Sequence, residues 1–278
     1  MKNICVPVDF THTAMNALKY AIQMFKGDKI TVLNVSLSSL NSTAREYSLL
    51  GRLTTTEDDL QEELRKVILI ELGLKELPEN LSIIIEKGEA VTEIKNFVKN
   101  NNIDLVVMGT RDKYDILDKL IGTTSLAMVK TLDCPVYLIP RYATFKKFKK
   151  VIVAIDDHSI DNKIGYRIKQ WNESYKAFVK FLHIQNDNKS FNKEMNSIVS
   201  ELFLDKEPEF GFEIEHVKSK EIGSAILSSA YNFGADLIIS SPYKQNFISA
   251  LLFKSVTKEL IQKVSIPILF VHENDIIL

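Results

Sequence analysis

The sequence predicts two tandem α/β domains, each with a mostly parallel sheet wrapped by helices. Three observations predict it. Short apolar runs rich in β-branched residues alternate with amphipathic helical patterns along the whole chain, which is how strand–helix–strand units read. The stretch Asp104-Leu-Val-Val-Met-Gly-Thr110 recurs 132 positions later in degraded form, as Asp236-Leu-Ile-Ile-Ser-Ser-Pro242. Cys134-Pro-Val-Tyr-Leu-Ile-Pro140 recurs at the same offset, as Ile266-Pro-Ile-Leu-Phe-Val-His272. A chain of 278 residues has room for two domains of ordinary size, each able to bury its own core.

In the first half, strands are expected at Asn3–Val8, Lys29–Val35, Leu81–Glu86, Leu105–Met108 and Val136–Ile139. Their hydrophobicity is nearly continuous, as in strands covered on both faces. Helices fall between them. Thr13–Phe25 sets Ala14, Leu18, Ala21, Ile22 and Phe25 on one stripe. Glu57–Leu72 follows a threonine run suited to capping it. Ala90–Asn100 turns Val91, Ile94 and Val98 inward, and Thr123–Leu132 turns Leu126 and Val129 inward.

The second half repeats this order. Strands are expected at Val151–Ile155, Ala177–Ile184, Phe212–Val217, Leu237–Ser240 and Ile268–Val271. Helices are expected at Ile160–Ser174, Ser190–Leu204, Gly223–Phe233 and Ser255–Val264. Asp9 and Asp156 stand 147 positions apart, so the second copy is 15 residues shorter before its later motif. The first copy puts its extra length into Ser36–Thr56, a mostly polar stretch read as a mobile loop. The boundary falls at Pro140–Lys150, giving domains at 1–143 and 148–278. Its Lys146-Lys-Phe-Lys-Lys150 run reads as a solvated linker or strand edge rather than a nucleic-acid patch.

Bulk properties narrow the function. Hydrophobic content of 45% and charged content of 26% are those of a soluble globular protein. A net charge of −1 gives no basic field for nucleic acid. Cys5 and Cys134 form no CxxC pair, so neither a disulfide framework nor a zinc ribbon is indicated. Two buried or half-buried thiols in a reducing, cytoplasmic setting are expected. The first apolar run, Ile4-Cys-Val-Pro-Val8, is too short for a signal peptide, and no run approaches the length of a membrane span.

The chemistry gathers in the first copy. Strands of an open parallel sheet aim their carboxyl ends at the ligand crevice. Strand one ends Pro7-Val-Asp9, strand four ends Met108-Gly-Thr110, and a helix starts at Gly122-Thr123-Thr124. Glycines at these turns let backbone amides approach a phosphate, and the helix start adds free N–H donors and a positive dipole end. Thr123 and Thr124 add hydroxyls, and Asp9 would face a ribose or a magnesium ion. As pattern alone, the same glycines also read as turn residues.

The order V-P-V-D-F-T, L-N-V, G-E-A, D-L-V-V-M-G-T, I-G-T-T and C-P-V resembles the universal stress protein family. The first copy matches closely and the second loosely, so the resemblance covers nearly the whole chain as two tandem domains. It implies five-stranded, mostly parallel α/β sandwiches of the Rossmann-like, adenine nucleotide alpha hydrolase-like class. It also implies binding of ATP or AMP, with Mg2+ accompanying ATP. The family's nucleotide motif maps to Gly109, Asp112, Gly122 and Thr123, its strand-one acid to Asp9 after Pro7, and its adenine-side backbone contact to Val35. One departure matters: Asp112 stands where the motif has glycine. At about 4 Å from a phosphate its carboxylate costs roughly 1–4 kcal/mol, unless magnesium bridges the two or the loop turns outward.

The second copy replaces Gly109, Asp112, Gly122 and Thr123 by Ser241, Lys244, Lys254 and Ser255, and Pro242 removes an amide donor. It reads as a structural partner with a vestigial cleft, the alternative being that Lys244 and Lys254 supply point charges for an anion. Asp156, Asp157, His158, His183 and His272 fall near the ends of its strands. They carry no zinc-ligand spacing, and exposed or hydrogen-bonded histidines are the expectation. Trp171 lies in a helical pattern with Ile164 and Ile168 and is expected in the core. There is no GxGxxG, GxxxxGK[ST] or GxSxG motif.

Three function classes follow. The first is a stress-response protein that senses adenine nucleotide in copy one, with little or no catalysis. The second is a scaffold whose clefts are vestigial and whose surface recruits an unknown protein client. The third is an adenylyl transferase or hydrolase, which needs a cleft His or Lys pair. The first copy's only histidine is His12. Families of this resemblance dimerise through their last strands, here Val136–Ile139 and Ile268–Val271. Intramolecular pairing of the two copies is therefore expected, with a homodimer as a further level. Neither nucleic acid nor membrane is expected as a partner.

Overall fold

Ten strands and six helices stand among the residues described by the computed structural model, namely 1–36, 57–110, 123–155, 164–185, 203, 208–240 and 265–271. They fall into two units, the first built on Met1–Arg111, Thr123–Leu132 and Leu138–Phe145, the second centred on Lys146–Leu278. The first copy of the repeat contains β1 (Asn3–Pro7), α1 (His12–Met24), β2 (Lys29–Ser36), α2 (Glu57–Leu72), β3 (Leu81–Lys87), α3 (Ala90–Asn100), β4 (Leu105–Thr110), α4 (Thr123–Thr131) and β5 (Val136–Pro140). Its strand order is β3-β2-β1-β4-β5. β1 pairs in parallel with both β2 and β4, which makes it a central strand. Ile4, Cys5 and Val6 are accordingly fully buried. α1 buries Ala14, Leu18 and Ala21 of the expected stripe, with Phe25 just past its end; Ala17 is buried as well, and Ile22 is half-buried.

The second unit contains β6 (Lys150–Ile155), α5 (Ile164–Asn172), β7 (Phe178–Gln185), β8 (Phe212–Lys218), α6 (Ile222–Phe233), β9 (Leu237–Ser240) and β10 (Ile268–Phe270). Its order is β10-β9-β6-β7-β8, so the second copy reproduces the strand order of the first. The registered pairs are parallel in both units. Of the helix expected at Ser190–Leu204 only Phe203 is described; the helix expected at Ser255–Val264 lies outside the described residues, as does the loop expected at Ser36–Thr56 except Ser36, which belongs to β2.

The sequence repeat holds at the level of single bonds. Asn102 (φ 49°) and Gly234 (φ 70°), 132 positions apart, both take the left-handed conformation that ends a helix. The next amide donates back into the helix in each copy, Ile103 to the Val98 carbonyl at 3.1 Å and Ala235 to the Ala230 carbonyl at 2.9 Å. The motif acids then pin the first strand of their own copy. The Asn3 amide donates to Asp104 Oδ2 at 2.7 Å, and the Lys149 and Lys150 amides donate to Asp236 Oδ2 at 2.8 and 3.1 Å. The repeated aspartates are thus fold determinants.

The basic run at the boundary is partly internal. Phe148 is buried and lies 5.1 Å from the Tyr175 ring and 6.0 Å from the Trp171 ring, centre to centre. Trp171 is buried as expected. Lys146 pairs with Asp236 at 2.7 Å, and Lys150 Nζ donates to the Phe233 carbonyl at 3.1 Å. The aromatic among the lysines serves the core, and two of the lysines answer local acceptors.

Candidate functional site in the first copy

The carboxyl ends of β1, β2 and β4 carry the predicted residues. β1 ends at buried Pro7. Val8 closes the strand by donating to the Leu33 carbonyl at 2.8 Å, and its own carbonyl accepts from Asn34 Nδ2 at 2.7 Å. Asp9 is exposed just beyond. Its Oδ1 accepts from Thr11 Oγ1 at 2.6 Å and from the Thr11 amide at 3.3 Å. Thr11 in turn caps α1 by accepting from the Ala14 amide at 3.3 Å. Between them Phe10 has φ 61°, a strained setting for a bulky residue. Asp9 therefore shapes the strand-to-helix turn whether or not a ligand meets it.

Val35 is half-buried near the end of β2, opposite Glu86 of β3. The Gly88 amide donates to the Ser36 carbonyl at 2.9 Å and closes this side of the crevice. Gly88 has φ 155°, and a Cβ there would stand 2.7 Å from the Glu93 side chain. Glu89 is the N-cap of α3, accepting from the amides of Val91 and Thr92 at 3.1 and 2.8 Å. Those bonds, first that from the Thr92 amide, lower its pKa from the usual value. Glu89 thus caps the helix expected at Ala90–Asn100.

Gly109 departs from expectation. It is the penultimate residue of β4, not a turn residue after it. A Cβ at Gly109 would lie 2.6 Å from both Cγ2 and the carbonyl oxygen of Thr13. The side chain is absent because the first turn of α1 lies against the strand, a packing reason that needs no phosphate. Ser125 in the first turn of α4 donates from Oγ to the Gly109 carbonyl at 3.2 Å. This bond, which sequence reading missed, ties the N-terminus of α4 to the end of β4. Thr123 opens α4 and Thr124 follows, half-buried. The structure thus brings the ends of β1 and β4 beside each other and fastens the start of α4 to β4. Asp112 and Gly122, the remaining motif positions, lie outside the described residues. His12 sits 3.6 Å from Glu71 of α2.

The second copy differs where the described residues allow comparison. Gly88 and Glu89 correspond to Lys220 and Glu221, and Glu221 precedes α6 without a side-chain cap bond. Ser241, Pro242, Lys244, Lys254 and Ser255 lie outside the described residues, as do Asp156, Asp157, His158 and His272. His183 is buried, and its neighbour is His216, Nδ1 to Nδ1 at 3.2 Å. Burial and then the adjacent His183 hold the His216 pKa below the usual imidazole value. Among the described residues no group of three or more His, Cys, Asp or Glu is gathered for a metal ion.

The sequence profile of the Universal stress protein family matches residues 1–140. The chain belongs to that family. Universal stress protein MJ0577 of Methanocaldococcus jannaschii is 25% identical over 160 residues, covering 50% of this chain and 95% of that protein. Universal stress protein MJ0531 of the same organism is 29% identical over 147 residues, covering 50% of this chain and 82% of that protein. A universal stress protein from Archaeoglobus fulgidus, known by its crystal structure, aligns over 97% of this chain and 96% of its own, with a TM-score of 0.68 and 16% identity. That likeness shows the fold over both copies and nothing finer. Among the described residues no helix is long and apolar enough to cross a membrane.

Proposed function

We propose that this universal stress protein binds an adenine nucleotide, ATP or AMP, in its first copy and uses the second as a structural partner, in a cytoplasmic stress response. The observation that supports this best is the Ser125–Gly109 bond. It holds the N-terminus of α4, with its positive dipole end, beside the crevice that β1 and β4 form, a setting that would favour a phosphate. The nucleotide would meet Pro7, Asp9 and Val35 on its nucleoside side and Gly109, Asp112, Gly122, Thr123 and Thr124 on its phosphate side. Mg2+ would accompany ATP and offset the charge of Asp112. Little or no turnover is expected.

Isothermal titration of nucleotide-stripped protein with ATP, ADP and AMP, with and without magnesium, tests this. One site per chain is expected, and Gly122→Lys should abolish it. In the absence of magnesium, Asp112→Gly should tighten ATP by about fivefold or more, from roughly 1–4 kcal/mol of repulsion removed. No heat and no thermal shift at millimolar nucleotide would sink the proposal.

A scaffold that recruits a protein client is the second reading. It is favoured by Asp9 and Gly109, both of which have structural duties that need no ligand. Pairing of the two copies belongs to the proposal too, argued from the apolar last strands. Deletion of residues 268–278 should leave an aggregating protein, because Ile268, Leu269 and Phe270 are buried beside β9. A soluble, cooperatively folding truncation would refute that expectation.

A further inference from the structure

We propose that His183 and His216 form a two-imidazole chelate for a divalent transition metal of the zinc class, on the second copy and independent of the nucleotide site. The two residues are direct register partners on neighbouring strands β7 and β8. Pairs on either side, Leu182 with Glu215 and Ile184 with Val217, hold that register. The sheet therefore presents both side chains to one point without any loop having to order.

The nitrogens are suitably spaced. Two metal–nitrogen bonds of about 2.0–2.1 Å at a tetrahedral angle separate their nitrogens by about 3.3 Å. The Nδ1 atoms stand 3.2 Å apart. The ring centres are only 5.2 Å apart and the planes cross at 72°. Two rings aligned head-on along the N–N line would hold their centres further apart, so the rings are bent off that line, as ligands converging on a third atom are.

Without metal the same spacing is served by a hydrogen bond, one ring donating Nδ1–H to the other's Nδ1. Metal binding moves that proton to Nε2 of the donor ring, so both Nδ1 lone pairs face the ion and the pair stays neutral. His183 is 3% exposed and fixes one ligand, while His216 is exposed on β8, the last strand in the order of its unit. Imidazole ligands suit Zn, Ni and Cu rather than Mg or Ca.

Calorimetric titration of the full-length chain with Zn2+, and Co2+ absorption as a second probe, tests the site. One metal per chain is expected, weakened at least tenfold by His216→Gln and unchanged by His12→Gln. Nitrogen NMR of the imidazoles guards against misfolding of the variant: in the wild-type protein Zn2+ should shift both Nδ1 resonances together. No binding of either metal, binding indifferent to His216→Gln, or unmoved Nδ1 resonances would each overturn the proposal and leave a hydrogen-bonded pair.

Discussion

Gly109→Val should destabilise the first unit by about 3 kcal/mol or more, and Gly109→Ala by about 1–3 kcal/mol, the range for overpacking a filled site. The new Cβ would meet the Thr13 carbonyl oxygen at 2.6 Å and the carbonyl carbon at 2.8 Å. Backbone cannot swing aside as a flexible side chain does. Relief requires α1 to move off the sheet, and α1 is fixed by its Thr11 cap and by buried Ala14, Ala17 and Leu18. Against a typical total stability of about 5–15 kcal/mol, the valine variant loses a large share. Urea unfolding without nucleotide measures it. If Gly109 is present only to let a phosphate approach, both variants will unfold at the wild-type midpoint. Thr13→Ala combined with Gly109→Ala removes the Cγ2 contact but leaves the carbonyl contact, so it should restore only part of the loss.

The limits of the sequence reading follow from the range of the interactions involved. α3 reads correctly as Ala90–Asn100 because its signal is local: apolar residues at helical spacing. β9 at Leu237–Ser240 is a continuous β-branched run and is equally plain. β4 runs two residues past its expected end because glycine in sequence reads as a turn. The helix turn that excludes a side chain at Gly109 lies nearly a hundred positions away. Asp104 and Asp236 stand out in the repeat as markers, yet their bonding is invisible there, since Asp104 meets Asn3 across 101 positions. The same is true of His216, which draws notice only once β7 and β8 are in register. In the candidate site, Pro7, Asp9, Val35, Gly109, Asp112, Gly122, Thr123 and Thr124 are expectations, most of them carried over by the family resemblance. The double duty of Asp9 and Gly109 is not legible there, because a motif records which residues recur and not which forces retain them.

Asp236→Ala should cost the second unit about 1.5–3 kcal/mol, the value of hydrogen bonds to a charged group. The side chain is 9% exposed and receives Lys146 Nζ at 2.7 Å on one oxygen and two backbone amides on the other. Removing it leaves those amides at the start of β6 without their acceptor. Asp104→Ala removes one amide bond instead of two and should cost less. The loss should also depend on pH in a definite sense. Burial pushes the Asp236 pKa up, but bonds from Lys146 and the Lys149 and Lys150 amides outweigh it, so the folded value lies below the ordinary 3.8. A depressed folded pKa contributes stability that is fully present above the unfolded value and is lost as pH falls through the folded one. The gap in unfolding free energy between wild type and Asp236→Ala should therefore be flat from neutral pH to about pH 5 and shrink below pH 3.8. Lys146→Ala separates the contributions: Lys146 is 69% exposed, so its loss should cost only about 0.2–1 kcal/mol. If Lys146→Ala costs as much as Asp236→Ala, the ion pair rather than the backbone anchor holds β6. A gap that stays constant down to pH 2 would mean that the carboxylate charge plays no part.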